Sequence, residues 1–166
     1  MMELERQASE IAADVQALSH GLHSSKLELL GLVASMQLFC NEFAAQQNVT
    51  VHLESNNVPG DLPSAISLTL FRVLQEALHN SVKHSESRQC SVRLWGAQGC
   101  IHLVVADHGT GFDVEAAKRG HGLGLVSMEE RIKLVDGELS IESQRQRGTT
   151  IHVRVPLPRS QSADLS

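Results

Sequence analysis

The strands that the sequence predicts come in adjacent pairs, and this pairing restricts the possible folds more than any other feature of the chain. Apolar residues alternate with polar ones over 92–94 and 101–105, on either side of the glycine turn 96–99, which indicates a β-hairpin. The same alternation over 139–141 and 151–155 indicates a second hairpin. Because a Rossmann fold requires helices between successive strands, the pairing argues against that fold.

Helical patterns account for most of the remaining predicted elements. Apolar residues recur at steps of three and four in four stretches, and residues 49–53 alternate as a short strand. The helical stretches are 4–22, 27–43, 64–84 and 125–135. This order of elements predicts an α+β fold, a two-layer α/β sandwich whose mixed, mostly antiparallel sheet is covered by helices on one face.

Charge and cysteine content exclude several classes of function. The chain of 166 residues has a formal net charge of -5, so it has no basic excess for phosphate backbones, and we expect no nucleic-acid partner. Its three cysteines are far apart and lack paired spacing, which argues against a disulfide framework and against a zinc site. No apolar run approaches the roughly 20 residues that span a bilayer. We therefore expect a cytoplasmic domain, although the parent protein could be anchored in a membrane.

A polar face on the predicted helix 64–84 is the first candidate for chemistry. Glu76, Asn80 and Lys83 follow one another at steps of four and three, so they share one side of the helix. An amide oxygen can ligate Mg²⁺, an ammonium can meet phosphate oxygens, and a carboxylate can orient a nucleophile. The alternative is an ordinary solvated helix face with an ion pair.

A carboxylate and two glycines follow the predicted strand 101–105. Asp107 at the strand end can accept a hydrogen bond from a nucleotide base, while Gly109 and Gly111 let the backbone approach a ligand. The alternative is an ordinary loop of aspartate and glycine, a common combination.

A second glycine-rich loop leads directly into the predicted helix 125–135. Gly120, Gly122 and Gly124 alternate along it, and their amides, with the following helix start, can enclose polyphosphate as a lid. The loop is not a Walker A motif, because no Gly-Lys-Ser/Thr follows it. The alternative is a flexible connection. Thr149, at the turn into the last strand, can contact a base or can simply favour the strand.

In order and spacing, these elements closely resemble the N, G1, G2 and terminal Gly-Thr motifs of sensor histidine kinase ATPase domains. The resemblance covers roughly residues 49–158, and the sequence looks most like the branch whose partners resemble nitrate-sensing regulators. It implies the Bergerat fold shared with gyrase and mismatch-repair ATPases, with ATP and Mg²⁺ as ligands.

The resemblance also implies a role for each motif residue. Asn80 would ligate Mg²⁺, Lys83 would contact phosphate, and Glu76 would assist catalysis or the metal site. Asp107 would bind the adenine amino group in a pocket shaped by Gly109 and Gly111, with Thr149 beside the adenine. The ATP lid would be formed by Gly120, Gly122 and Gly124, up to Leu125.

One departure from the family pattern concerns the phosphoacceptor histidine. Neither His20 nor His23 has the expected context, and their spacing is only a weak zinc signal. We therefore expect residues 1–25 to be the end of a dimerisation or linker helix. An amphipathic helix folded onto its own domain would have the same apolar pattern. Residues 26–158 would be the catalytic domain and 159–166 a disordered tail.

The resemblance implies particular partners and leaves two alternatives open. The partners would be a phosphoacceptor dimerisation domain outside this chain and a response regulator, with the full-length kinase a homodimer. One alternative is a stand-alone anti-sigma factor that phosphorylates serine. The other is a degenerate nucleotide-binding interaction domain.

Overall fold

The computed structural model describes residues 24–120 and 123–159, which form helices and one five-stranded sheet. The predicted seam 4–22, with His20 and His23, lies outside the described residues, as do Gly122 and the tail from residue 160. After helical residues 24–30, the elements are α1 (Leu32–Gln47), β1 (Thr50–Asn56), α2 (Ser64–His84), β2 (Gln89–Ala97), β3 (Cys100–Asp107), α3 (Val114–Arg119), α4 (Leu123–Lys133), β4 (Glu138–Gln144) and β5 (Gly148–Pro156).

The sheet has the strand order β1-β2-β3-β5-β4, and both predicted hairpins are present. β2 pairs antiparallel with β3, β3 with β5, and β5 with β4, while β1 lies parallel to β2 at the edge. α2 connects these two parallel strands. The predicted α+β sandwich with a mixed, mostly antiparallel sheet is confirmed.

The core lies between one face of the sheet and the helices. β3 buries alternate residues, as expected for a strand with one covered face. The apolar stripe of α2 packs against this face, and Leu70, Leu74 and Leu78 have no exposed surface. Removing a leucine side chain at such a position costs about 2 to 5 kcal/mol, so this contact fixes the orientation of α2 and hence the direction of its polar face.

The opposite face of the sheet carries a stack of rings. Trp95 and His102 stack with their centroids 4.9 Å apart, and Nδ1 of His102 lies 3.3 Å from Nε2 of His152. Burial lowers the pKa of His102, and the neighbouring His152 and Arg154 lower it further. This face therefore favours the neutral imidazole of His102.

Two local features were not predicted from the sequence. The pattern 27–43 predicts a single helix, but Gly31, with a φ of 79°, separates helical residues 24–30 from α1. A left-handed φ is accessible to glycine without steric cost, so the chain changes direction there. The short helix α3 is capped at its N-terminus by Asp113, whose side chain accepts a hydrogen bond from the Ala116 amide at 3.0 Å. Among the described helices, none is long and apolar enough to cross a membrane.

Candidate functional site

The polar face of α2 meets the beginning of α4. Glu76 and Asn80 are half-buried there, and Gly124 packs directly against them. A Cβ atom at position 124 would clash with Oε1 of Glu76 and would lie 3.4 Å from Nδ2 of Asn80. The structure therefore brings together a carboxylate, an amide and Gly124, which lies in the first turn of α4 and not in a loop as predicted. Lys83 is exposed in the last turn of α2.

Asp107 lies at the end of β3, where its carboxylate is held in place. Its exposed fraction is 8%, and one carboxylate oxygen accepts a hydrogen bond from the Gly109 amide at 2.9 Å. Asp107 is the antiparallel partner of Thr149 on β5. Two residues that are 42 positions apart in the sequence thus become neighbours at the same edge of the sheet.

The loop after Asp107 is fixed by two close approaches that require glycine. A Cβ atom at Gly109 would clash with the backbone of Ser85, just beyond the end of α2. Gly111 has a φ of 60°, and a Cβ atom there would clash with the backbone of Gln144. Between them, the Thr110 amide donates to the Ser85 carbonyl at 2.9 Å. The loop is therefore clamped between α2 and the second hairpin.

A cluster of hydroxyl groups joins the second hairpin to this loop. Oγ of Ser143 accepts a hydrogen bond from the Phe112 amide at 2.9 Å and lies 2.9 Å from Oγ1 of Thr149. It also donates to the Gly148 carbonyl at 3.2 Å. Ser143 was not predicted as a site residue, and the only signal in the sequence is that it belongs to the predicted second hairpin.

These elements surround one small cavity. Its lining includes Ala77, Asn80, Ser81, Asp107, Gly111, Phe112 and Thr149. Its volume is ≈ 20 Å³, against roughly 300 to 1,000 Å³ for ligand pockets in general. A base can enter only if this cavity opens, and Phe112 is one of the side chains that line it.

A larger groove lies elsewhere and has a different character. It measures ≈ 830 Å³ and runs between residues 24–37 and 58–68. Its lining is mostly apolar and includes none of the predicted site residues. Because binding specificity requires convergent polar groups, the small cavity is the candidate functional site despite its size.

The predicted lid is only partly described. Gly120 ends α3, and its amide donates to the Ala116 carbonyl. Leu125 is buried in the core with an exposed fraction of 8%, so only its backbone is available to a ligand. Gly124 faces Glu76, as described above.

Two buried thiols lie behind the cavity. Oγ of Ser81, which lines the cavity, lies 3.0 Å from Sγ of Cys90. Burial raises the pKa of Cys90, although its hydrogen bond to Ser81 partly opposes this, and the nearby Asp107 raises the pKa further. Burial, with a smaller effect from Cys90, raises the pKa of Cys40 to about 12. Both groups therefore remain neutral thiols at pH 7.

We predict that Cys40 and Cys90 react slowly with iodoacetamide in the native protein at pH 7.5, because the nucleophile is the thiolate and both side chains are buried. Peptide mass mapping after timed labelling measures this, with the same protein in urea as the reference for full reactivity. Labelling of either residue at a similar rate in both conditions would contradict the prediction.

Residues 65–159 match the family described as histidine kinase-, DNA gyrase B- and HSP90-like ATPases. The chain belongs to this family. The oxygen sensor histidine kinase NreB of Staphylococcus carnosus is 34% identical over 149 residues, which are 90% of this chain and 43% of that protein. The sensor histidine kinase MctS of Rhizobium johnstonii is 32% identical over 145 residues, or 86% of this chain and 31% of that protein.

The chain thus spans less than half the length of these relatives. Among solved structures, the histidine kinase domain of the blue-light activated histidine kinase EL346 from Erythrobacter litoralis superposes with a TM-score of 0.67 at 17% identity. The superposition covers 92% of this chain and 82% of that one. At this level of identity, the structural likeness establishes the fold.

Proposed function

We propose that this chain is the ATP-binding catalytic portion of a two-component sensor histidine kinase. The observation that carries the proposal is that Asn80, Asp107 and Thr149, from three separate motifs, line one cavity in a chain of this ATPase family. Gly111 also lines this cavity, which would have to open to admit a base.

Adenine would bind beside Asp107. Its amino group would donate to the carboxylate oxygen that the Gly109 amide leaves available, and Thr149 would contact the neighbouring edge of the ring. A buried carboxylate favours an amino group over the carbonyl that guanine has at the same position, because a carbonyl offers no proton. Selection of adenine over guanine follows from this arrangement.

The polar face of α2 carries oxygen atoms that could ligate a magnesium ion. Mg²⁺ prefers oxygen ligands, and the Asn80 amide oxygen is the proposed ligand, with Glu76 beside it. Gly124 packs closely against both residues, so the start of α4 lies next to the proposed metal position. When bound, the ion would neutralise charge on the phosphates. Lys83, exposed one turn after Asn80, would contact a phosphate oxygen, and Gly120, Gly122 and Gly124 would close over the phosphates as a lid.

The proposed reaction transfers the γ-phosphoryl group of ATP to a histidine on the dimerisation domain. A ring nitrogen attacks the γ-phosphorus, the bond from that phosphorus to its bridging oxygen breaks, ADP leaves, and the imidazole loses its proton to a base. This chain would contribute positioning and charge stabilisation, which supply most of the catalysis in phosphoryl transfer. Glu76 would orient the incoming group.

The full-length protein would be a cytoplasmic or membrane-anchored homodimer that passes the phosphoryl group to a response regulator. Within this chain, residues 1–25 would end the dimerisation helix, residues 26–158 would form the catalytic domain, and residues 159–166 would be a tail.

Detection of phosphohistidine tests the proposal. The full-length kinase, or this chain mixed with the dimerisation domain of its parent, is incubated with Mg-ATP labelled on the γ-phosphate. We expect acid-labile, alkali-stable label on the dimerisation domain. Label on serine would instead favour the anti-sigma factor alternative, and nucleotide binding without any label would favour a degenerate domain.

We predict that Asn80→Ala lowers the affinity for ADP about tenfold in the presence of Mg²⁺ and changes it little in EDTA, because the substitution removes a metal ligand and leaves the base contacts in place. Calorimetric titration with and without Mg²⁺ measures both affinities. Asn41→Ala, an exposed asparagine on α1, is the matched control and should resemble the wild type. Equal losses in Mg²⁺ and in EDTA would contradict the metal role.

A further inference from the structure

One serine contacts two sides of the cavity without lining it. Ser143 accepts a hydrogen bond from the Phe112 amide and lies 2.9 Å from the Thr149 hydroxyl. Phe112 and Thr149 both line the cavity, whereas Ser143 lies behind them on β4. Phe112 is also the residue before Asp113, the N-cap of α3. A single hydroxyl thus connects the base side of the cavity to the start of α3.

The hydrogen-bonding capacity of this hydroxyl decides what Thr149 can offer to a base. A serine hydroxyl has one proton and two lone pairs. If the Ser143 proton points to the Gly148 carbonyl, 3.2 Å away, then Thr149 must donate to Ser143 and presents only lone pairs to the cavity. If the Ser143 proton points to Thr149, the Thr149 proton is available to a ring nitrogen of the base.

We propose that Ser143 is a positioning residue that orients the Thr149 hydroxyl toward the base and couples base binding to the position of Phe112, just before the N-cap of α3. This inference rests on the nucleotide-binding function proposed above. The Phe112 amide bond keeps the Ser143 oxygen in place in both proton arrangements, because it uses one lone pair throughout. A base that accepts a hydrogen bond from Thr149 selects the second arrangement, in which Ser143 no longer donates to the Gly148 carbonyl.

A double-mutant cycle tests the coupling to Thr149. We expect Ser143→Ala and Thr149→Val each to weaken Mg-ADP binding about fivefold, since each removes one hydrogen bond near the base. If Ser143 acts through Thr149, the double variant should bind about as weakly as Thr149→Val alone. Multiplied losses in the double variant would overturn the proposal, because they would show that the two residues act independently.

Amide exchange at Phe112 tests the coupling to Phe112. In Ser143→Ala, the Phe112 amide loses its acceptor, and we expect its hydrogen exchange to become faster and its protection by Mg-ADP to disappear. Ser140→Ala, on the exposed face of the same strand, is the matched control and should leave both values unchanged. Exchange at Phe112 that is unaffected by Ser143→Ala would contradict the proposal.

A conservative variant distinguishes the effect of losing the hydroxyl from the effect of losing the fold. Ser143→Thr retains the hydroxyl and suits a strand, so we expect its Mg-ADP affinity to stay within about twofold of the wild type. A loss in Ser143→Thr as large as that in Ser143→Ala would overturn the role of the hydroxyl, even if the alanine variant unfolds. If folded wild-type protein does not bind Mg-ADP, the proposed function fails together with this inference. If the wild-type protein binds Mg-ADP and the variants bind it with the same affinity, only this inference fails.

Discussion

Asp107→Asn is expected to weaken adenine nucleotide binding by about a hundredfold while the protein stays folded. The amide has the shape of the carboxylate, so its oxygen can keep the 2.9 Å hydrogen bond from the Gly109 amide. Its nitrogen then faces the base and places a donor against the adenine amino group, which is also a donor. The variant loses a charge-assisted hydrogen bond and leaves buried groups unpaired, and both effects act in the same direction.

Asp136→Asn makes the same change of charge away from the site. Asp136 is exposed in the turn after α4 and has a left-handed φ of 55°, a conformation that asparagine tolerates well. We expect its affinity for Mg-ADP to equal that of the wild type. Calorimetric titration of the three proteins, with circular dichroism to confirm folding, measures the difference. Asp107→Asn binding within about threefold of the wild type would rule out Asp107 as the base contact.

Gly111→Ala is expected to reduce the free energy of unfolding by about 3 kcal/mol or more. Two costs combine at this position, since its φ of 60° is unfavourable for alanine and the new Cβ would clash with the Gln144 backbone. The clash cannot be relieved by a rotamer change, because the obstructing atoms belong to the backbone of β4. The loop would have to separate from the second hairpin, so nucleotide binding should be lost as well.

Gly99→Ala isolates the backbone contribution. Gly99 also has a positive φ, 70°, but nothing lies within 4 Å of a Cβ atom there. We expect it to cost about 1 kcal/mol, from backbone strain alone. Urea denaturation of the wild type and both variants gives the free energies. Similar losses for Gly111→Ala and Gly99→Ala would show that the loop does not depend on the close approach to Gln144.

The elements with strong periodicity could be predicted from the sequence. The apolar stripe of α2 gave its bounds, because a long buried stripe has few alternatives, and both hairpins followed from alternation around glycine turns. The parallel pairing of β1 could not be predicted, since an edge strand has the same alternation in either direction. The break at Gly31 was missed because the apolar pattern continues across it.

Only parts of the candidate site could be predicted from the sequence. The common face of Glu76 and Asn80 follows from helical spacing alone, and the placement of Asp107 at a strand end follows from the strand pattern. The pairing of Asp107 with Thr149 depends on the order of strands in the sheet, which sequence patterns do not determine. Ser143 could not be found for the same reason, since its partners come from a loop and from a neighbouring strand.

Titration of the folded chain with Mg-ATP and Mg-GTP is the most direct test of a nucleotide site between α2 and the second hairpin. We predict saturable binding of one Mg-ATP per chain and at least about tenfold weaker binding of Mg-GTP, because the Asp107 carboxylate can pair with the amino group of adenine and not with the carbonyl of guanine. Absence of saturable binding by folded protein, or equal affinity for the two nucleotides, would contradict the assignment of this site.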